Sequence, residues 1–115
     1  MKHKLIIAGS RDFDNYKLLK QTVLPYLNDI EEIISGTARG ADSLGEQFAK
    51  EFNIPVRQFP ADWSTYGKKA GYLRNVQMAK NATACIVFWD GKSRGTQHMI
   101  NIAKQYGLKL KIVIY

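Results

Sequence analysis

Apolar residues gather in five short runs separated by longer amphipathic stretches, and this alternation gives the first structural reading of the chain. The runs at 4–8, 32–35, 56–59, 84–89 and 111–115 have the length and side-chain character of short buried strands. Between them, apolar positions recur at three- and four-residue steps. The clearest case spans 41–52, where Ala41, Leu44, Gly45, Phe48, Ala49 and Phe52 share one face that has to be covered by a sheet. A helix is predicted over 16–27 with Tyr16, Leu19, Val23 and Leu27 inward, and another over 70–81. The last is predicted over 96–106, with Thr96, Met99, Ile100 and Ala103 inward and Gly107 as its stop. The stretch 60–69 holds Pro60, Trp63, Tyr66 and Gly67 without clean periodicity and reads as an ordered loop, of a length more often functional than idle.

Strands alternating with helices imply right-handed crossovers. The expected fold class is therefore α/β: a single Rossmann-like three-layer α/β/α sandwich around a mainly parallel five-stranded sheet, one domain over 1–115. In such sheets ligands collect outside the carboxyl ends of the strands, where strand order reverses. Glycine-rich runs fall at those ends. Gly9-Ser10-Arg11 closes the first strand, Ser35 to Asp42 closes the second and Trp89 to Thr96 the fourth; a further run, 70–75, opens the helix after the loop. Glycine lets backbone approach a ligand closely, while arginine and the free amides of a helix start attract anions, so the set reads as a phosphate-binding crevice.

Each run also has a plain structural reading. Arg11 is placed to clamp a phosphate or carboxylate, or to pair with Asp12 or Asp14, and Asp14 or Asn15 is placed to cap the next helix. Gly36 and Gly40 bracket a strand-to-helix turn in which Ala38 and Arg39 face an approaching ligand. Asp42, in the first helical turn, either caps that helix or bonds ligand hydroxyls. Gly71, Arg74, Asn75 and Met78 form one strip whose polar members suit a partly buried face. Asp90 and Gly91 make a turn that leads to Ser93, Gly95 and Thr96 at a helix start, and Trp89 either stacks on a base or joins the core. The Walker and dinucleotide glycine fingerprints are both absent.

Charge and single residues narrow the field. Seventeen Lys and Arg against 10 Asp and Glu give a formal charge of +7, which favours nucleotides, single-stranded nucleic acid or a membrane surface without choosing among them. The longest apolar runs are strand-sized, so neither a leader nor a membrane span is expected, and the expected location is cytoplasmic. The only cysteine, Cys85, lies in an apolar run and reads as a buried, inert thiol. His98 falls off the apolar stripe of its helix and reads as solvated. With no partner at ligand spacing for it or His3, no metal and no cofactor are expected.

Taken in order along the chain, these motifs resemble the YspA-related branch of the SLOG superfamily, the Rossmann-like group that includes the Lonely Guy phosphoribohydrolases and DprA. The resemblance rests on Gly9-Ser10-Arg11, on 36–42, on 59–63 with Ala70-Gly71 and Arg74-Asn75, and on 88–91 with 93–96. It implies a pocket for a nucleotide-derived small molecule, such as an ADP-ribose-related or cyclic-nucleotide signal. It also implies a homo-oligomer and a setting such as phage defence. The site residues it carries over are Gly9, Ser10, Arg11, Gly36, Arg39, Gly40, Asp42, Arg74, Asn75, Asp90, Gly91, Ser93, Gly95 and Thr96. Thr37 stands where glycine is more usual, a departure expected to narrow the pocket. The helix glutamate of the Lonely Guy enzymes has no counterpart after Thr96, where Gln97, His98 and Met99 follow.

Three functions follow as expectations. Binding or sequestering the ligand without turnover ranks first. An N-glycosidase or phosphoesterase ranks second, with Asp42 or Asp90 as the only site carboxylates able to activate water. Binding of single-stranded nucleic acid in the manner of DprA ranks third, because no interleaved basic and aromatic platform is legible.

Overall fold

Parallel pairing joins the five apolar runs into one sheet in the order β3-β2-β1-β4-β5. The structure, a computed structural model, describes residues 2–115. The strands are β1 (His3–Gly9), β2 (Ile30–Ser35), β3 (Val56–Gln58), β4 (Ala84–Trp89) and β5 (Lys109–Ile114). The helices are α1 (Tyr16–Val23), α2 (Ala41–Glu51), the one-turn α3 (Trp63–Tyr66), α4 (Ala70–Lys80) and α5 (Arg94–Gln105). Every strand pair is parallel. The α/β expectation therefore holds, and the sheet is wholly rather than mainly parallel.

Alternation along β1 divides the core. Leu5 and Ile7 point to one face, where Phe13, Leu19, Val23, Phe48 and Ala49 bring α1 and α2 against Ile33, Ile86 and Phe88. Ile6 and Ala8 point to the other, against Met78, Ala79, Met99, Ile100 and Ala103 of α4 and α5, with Ile34, Cys85 and Val87. Both sheet faces are thus covered, as a parallel sheet requires. Cys85 is buried, and that burial pushes its thiol far above the ordinary range, in keeping with an inert core thiol.

Three local expectations are corrected. The first helix ends at Val23 and continues as a 3₁₀ segment over Leu24–Asp29. Pro25 is the cause, since its ring displaces the carbonyl four residues back and it has no amide to donate. The 60–69 stretch is more regular than a loop: Asp62 Oδ1 accepts from Thr65 N at 3.1 Å, caps α3, and a 3₁₀ turn over Gly67–Lys69 runs into α4. Finally, β3 and β5 are edge strands with exposed side chains, Ile114 at 67% among them, whereas their apolar sequence had suggested full burial. Other signals act as read: Asn15 Oδ1 caps α1 by accepting from Leu18 N at 3.0 Å, and Gly107 adopts φ +69 just past α5.

Strand order reverses between β1 and β4, which are neighbours although two strands separate them in sequence. Their carboxyl ends therefore diverge into loops on opposite sides of the sheet and leave a crevice between them.

Candidate functional site

Ser10 ties that crevice together. Its amide donates to Phe88 O at 2.9 Å, its carbonyl accepts from Phe13 N and Ala41 N, and its buried hydroxyl accepts from Asp90 N at 3.2 Å. One residue thereby fixes the start of the β1–α1 loop, the start of α2 and the end of β4. Gly40 makes the contact with α2 achievable: its φ is +79, and a Cβ there would lie 2.3 Å from Ser10 O.

The β4–α5 loop is held by its own polar groups. Asp90 Oδ1 accepts from Lys92 N and Ser93 N, both at 2.8 Å, and these bonds hold its carboxyl below the usual range. Ser93 caps α5 by accepting from Thr96 N at 3.3 Å. The first two amides of α5, on Arg94 and Gly95, have no intrahelical acceptor, and Gly95 lines the crevice.

On the opposite wall, Arg74 is held at two nitrogens. Its Nη1 donates to Gly36 O at 2.6 Å and its Nε to Asn75 Oδ1 at 3.0 Å. Gly36 leaves room for this arrangement, because a Cβ would lie 2.7 Å from both Arg74 Nη1 and Asp42 Oδ2 and would push those side-chain ends aside. Asp42 is 4% exposed and accepts from Ala38 N at 3.2 Å. Burial raises its pKa to about 6, against the opposing pull of the Ala38 amide, Arg74 and Arg11. Burial also lowers the Arg74 pKa, partly offset by Asp42. Beneath this loop, Glu46 accepts from Ser35 Oγ at 2.6 Å and from Gln58 Nε2 at 3.1 Å.

These groups surround a cavity of about 480 Å³. Of the residues marked in the sequence, Gly9, Ser10, Arg11, Ala38, Asp42, Arg74, Asn75, Asp90, Ser93, Gly95 and Thr96 line it. Gly36 and Arg39 line an adjoining cavity of about 370 Å³ that shares Arg11, Ala38, Trp63 and Arg74 with the first. Gly40, Gly91 and Trp89 line neither. Gly40 and Gly91 shape turns at positive φ, and Trp89 braces the loop, its Nε1 donating to Ser93 O at 3.1 Å. Arg11 has no ion pair with Asp12 or Asp14; its guanidinium lies 6.0 Å from the centre of the Trp63 ring. Thr37 takes φ +63, a backbone conformation that favours glycine.

Sequence reasoning missed Tyr72 in the lining. Trp63, Lys68 and Tyr72 come to the main cavity together, and Trp63 and Tyr72 are exposed, so aromatic and basic groups do meet at its mouth. His98 is not solvated as expected: it is half-buried, its ring lies 4.4 Å from that of Tyr72, and its Nδ1 is 3.1 Å from Asn75 Nδ2. Its position one turn beyond Gly95 was legible, but the docking of α4 on α5 was not. Among the described residues, no group of three or more His, Cys, Asp or Glu is placed to hold a metal, and no helix is long and apolar enough to cross a membrane.

Comparison with known proteins agrees with this architecture. The sequence profile of the YspA, cpYpsA-related SLOG family matches residues 3–66. Gene 61 protein of Mycobacterium phage D29 is 38% identical over 82 residues, which take in 66% of this chain and 66% of that protein. The X-ray structure of DNA processing protein A (DprA) from Streptococcus pneumoniae superposes with a TM-score of 0.80 at 17% identity, over 96% of this chain and 50% of that one. The chain thus spans about half the length of DprA and about two thirds of the phage protein.

Proposed function

We infer, since the chain belongs to the YspA, cpYpsA-related SLOG family, that the cavity binds a nucleotide or nucleotide-derived anion and senses or sequesters it. The observation that carries this reading is the convergence of Arg11, Arg74, Lys68 and the free α5 amides on one cavity. Arg74 is already bonded to the protein through Nη1 and Nε, so its second terminal nitrogen remains for a ligand. Phosphate oxygens match both the guanidinium fork and the helix start. The flat faces of Trp63 and Tyr72 suit a base, and Asp42 suits a ribose hydroxyl. A volume of about 480 Å³ is in the range of small-molecule sites.

A second reading is favoured by one observation. Asp42 is a cavity carboxylate whose buried setting raises its pKa to about 6, a value suited to proton transfer near neutral pH. Asp90 is unsuited to that task, because two backbone amides hold its carboxyl below the usual range. Of the cavity carboxylates, which also include Asp12, Asp42 is the one whose buried setting favours proton transfer, so hydrolysis of the bound nucleotide would be expected to use it.

Incubating the protein with mononucleotides, cyclic nucleotides, NAD and ADP-ribose, followed by mass spectrometry of retained and free species, separates these readings. Stoichiometric retention of one intact compound is expected. A new product that disappears in Asp42→Asn would instead establish an enzyme, and failure both to retain and to convert any compound would overturn both readings. A single-stranded oligonucleotide in the same panel tests the third expectation, since phosphate-driven binding weakens steeply with salt.

A further inference from the structure

The side chain of Asn75 joins two helices and has only one workable orientation. Arg74 Nε, 3.0 Å away, is a donor and can only face the amide oxygen. Gly95 O, 3.4 Å away on α5, is an acceptor and can only face the amide nitrogen. Asn75 Nδ2 consequently donates to His98 Nδ1 at 3.1 Å, and His98 carries its proton on Nε2. A continuous relay runs from His98 through Asn75 to Arg74 and on to Gly36 O.

We propose that His98 is a positioning residue of the cavity: its neutral Nδ1 fixes the Asn75 amide, which in turn holds the Arg74 guanidinium in the orientation that receives an anion. The inference rests on the reading of the cavity as an anion site, and its first half is testable without a ligand. A proton on Nδ1 would set two donors against each other. Flipping the Asn75 amide does not relieve this, because Nδ2 would then face the Arg74 Nε–H and the oxygen would face Gly95 O. Protonating His98 therefore breaks the relay at one end or the other.

The surroundings favour the neutral ring. Tyr72 covers it from α4, Asn75 is 5% exposed, and burial lowers the His98 pKa below the usual histidine range. Among the described residues, no carboxylate lies within ion-pair distance of His98. The charged groups that bear on the far end of the relay are Asp42 from α2 and Arg11 from the β1–α1 loop, both acting on Arg74. Asp42 also titrates in mildly acidic solution, so its contribution has to be separated from that of His98.

Nuclear magnetic resonance of the ligand-free protein provides the first arm. The Asn75 side-chain amide and the Arg74 Nε–H signals are expected to shift with the His98 imidazole midpoint in the wild type and in Asp42→Asn. That component should vanish in His98→Asn, whose amide oxygen supplies an acceptor near the Nδ1 position without titrating. The second arm is the affinity for ADP-ribose, whose phosphates keep their charge across this range. From pH 8 to pH 5 the wild type is expected to weaken about tenfold relative to His98→Asn, as for loss of one charge-assisted hydrogen bond. His98→Ala should bind weakly at every pH, with His98→Asn restoring most of the neutral-pH affinity.

Asn75 and Arg74 signals that ignore the His98 titration would overturn the proposal. So would a folded His98→Ala that binds ADP-ribose as the wild type does. Coupled titration in a wild type that retains none of the mononucleotides, cyclic nucleotides, NAD or ADP-ribose would support the positioning relay and overturn the nucleotide reading instead.

Discussion

Asp42 is a buried carboxylate that both lines the candidate site and links the fold to pH. Its folded pKa of about 6 exceeds its unfolded value, so the folded protein binds that proton more readily. The sign follows: stability linked to Asp42 is fully present below the unfolded value and is lost as pH rises toward 6, then stays level. Relative to Asp42→Asn, the wild type should lose about 2–3 kcal/mol between pH 4 and pH 7, read from urea midpoints at several pH values. A flat difference would show that Asp42 is not desolvated as described. Thr37 offers a separate test at this scale. A β-branched residue at φ +63 is strained, so Thr37→Gly should stabilise by about 1 kcal/mol in the same assay. Asp42, Arg74 and Gly36 were all legible as candidate residues from motif spacing. Their mutual contact was not, because Gly36 is a passive gap whose value depends on two side chains that close over it from different helices.

At the level of elements, the strands aim the helix starts of α2 and α5 at the cavity. Ser93 has two roles, since it caps α5 and shapes the rim of the cavity. Ser93→Ala should cost about 1 kcal/mol of stability and also weaken nucleotide retention, as thermal melts and binding assays on the same preparation would show. Loss of stability with unchanged retention would confine Ser93 to capping. Periodicity located α2 and α5 within a few residues, because each buries a long apolar stripe; α4, which buries only Ala70, Asn75, Met78 and Ala79, was located by its mixed strip. It overran α1, since the stripe continues to Leu27 while Pro25 interrupts the hydrogen-bond ladder beneath it. It also passed over α3, a single turn too short to display a period. That omission hid the form of this side of the mouth, since α3 and its 3₁₀ extension deliver Trp63 and Lys68 to the cavity. The pairing of His98 with Asn75 escaped for a related reason: it depends on how α4 lies against α5, which neither helix encodes alone.

Across the whole molecule, the site follows from topology. Placing β1 beside β4 opens a crevice at their carboxyl ends, and the motifs scattered over 9–96 converge there. The formal charge of +7 becomes specific only through this convergence, which sets Arg11, Arg74 and Lys68 on one concavity and Arg39 beside it. The same arrangement makes the ligand reading separable from stability, because Arg11 is exposed and contributes little to the core. The most direct test is calorimetric titration of the wild type, Arg11→Ala and Arg74→Ala with the nucleotide retained in the mass-spectrometric panel, alongside thermal melts of all three. One-to-one binding by the wild type is predicted, weakened at least tenfold in each folded variant, as expected for loss of a charge-assisted phosphate contact. Equal affinity in all three folded proteins would contradict the account, because the anion would then bind somewhere other than this cavity.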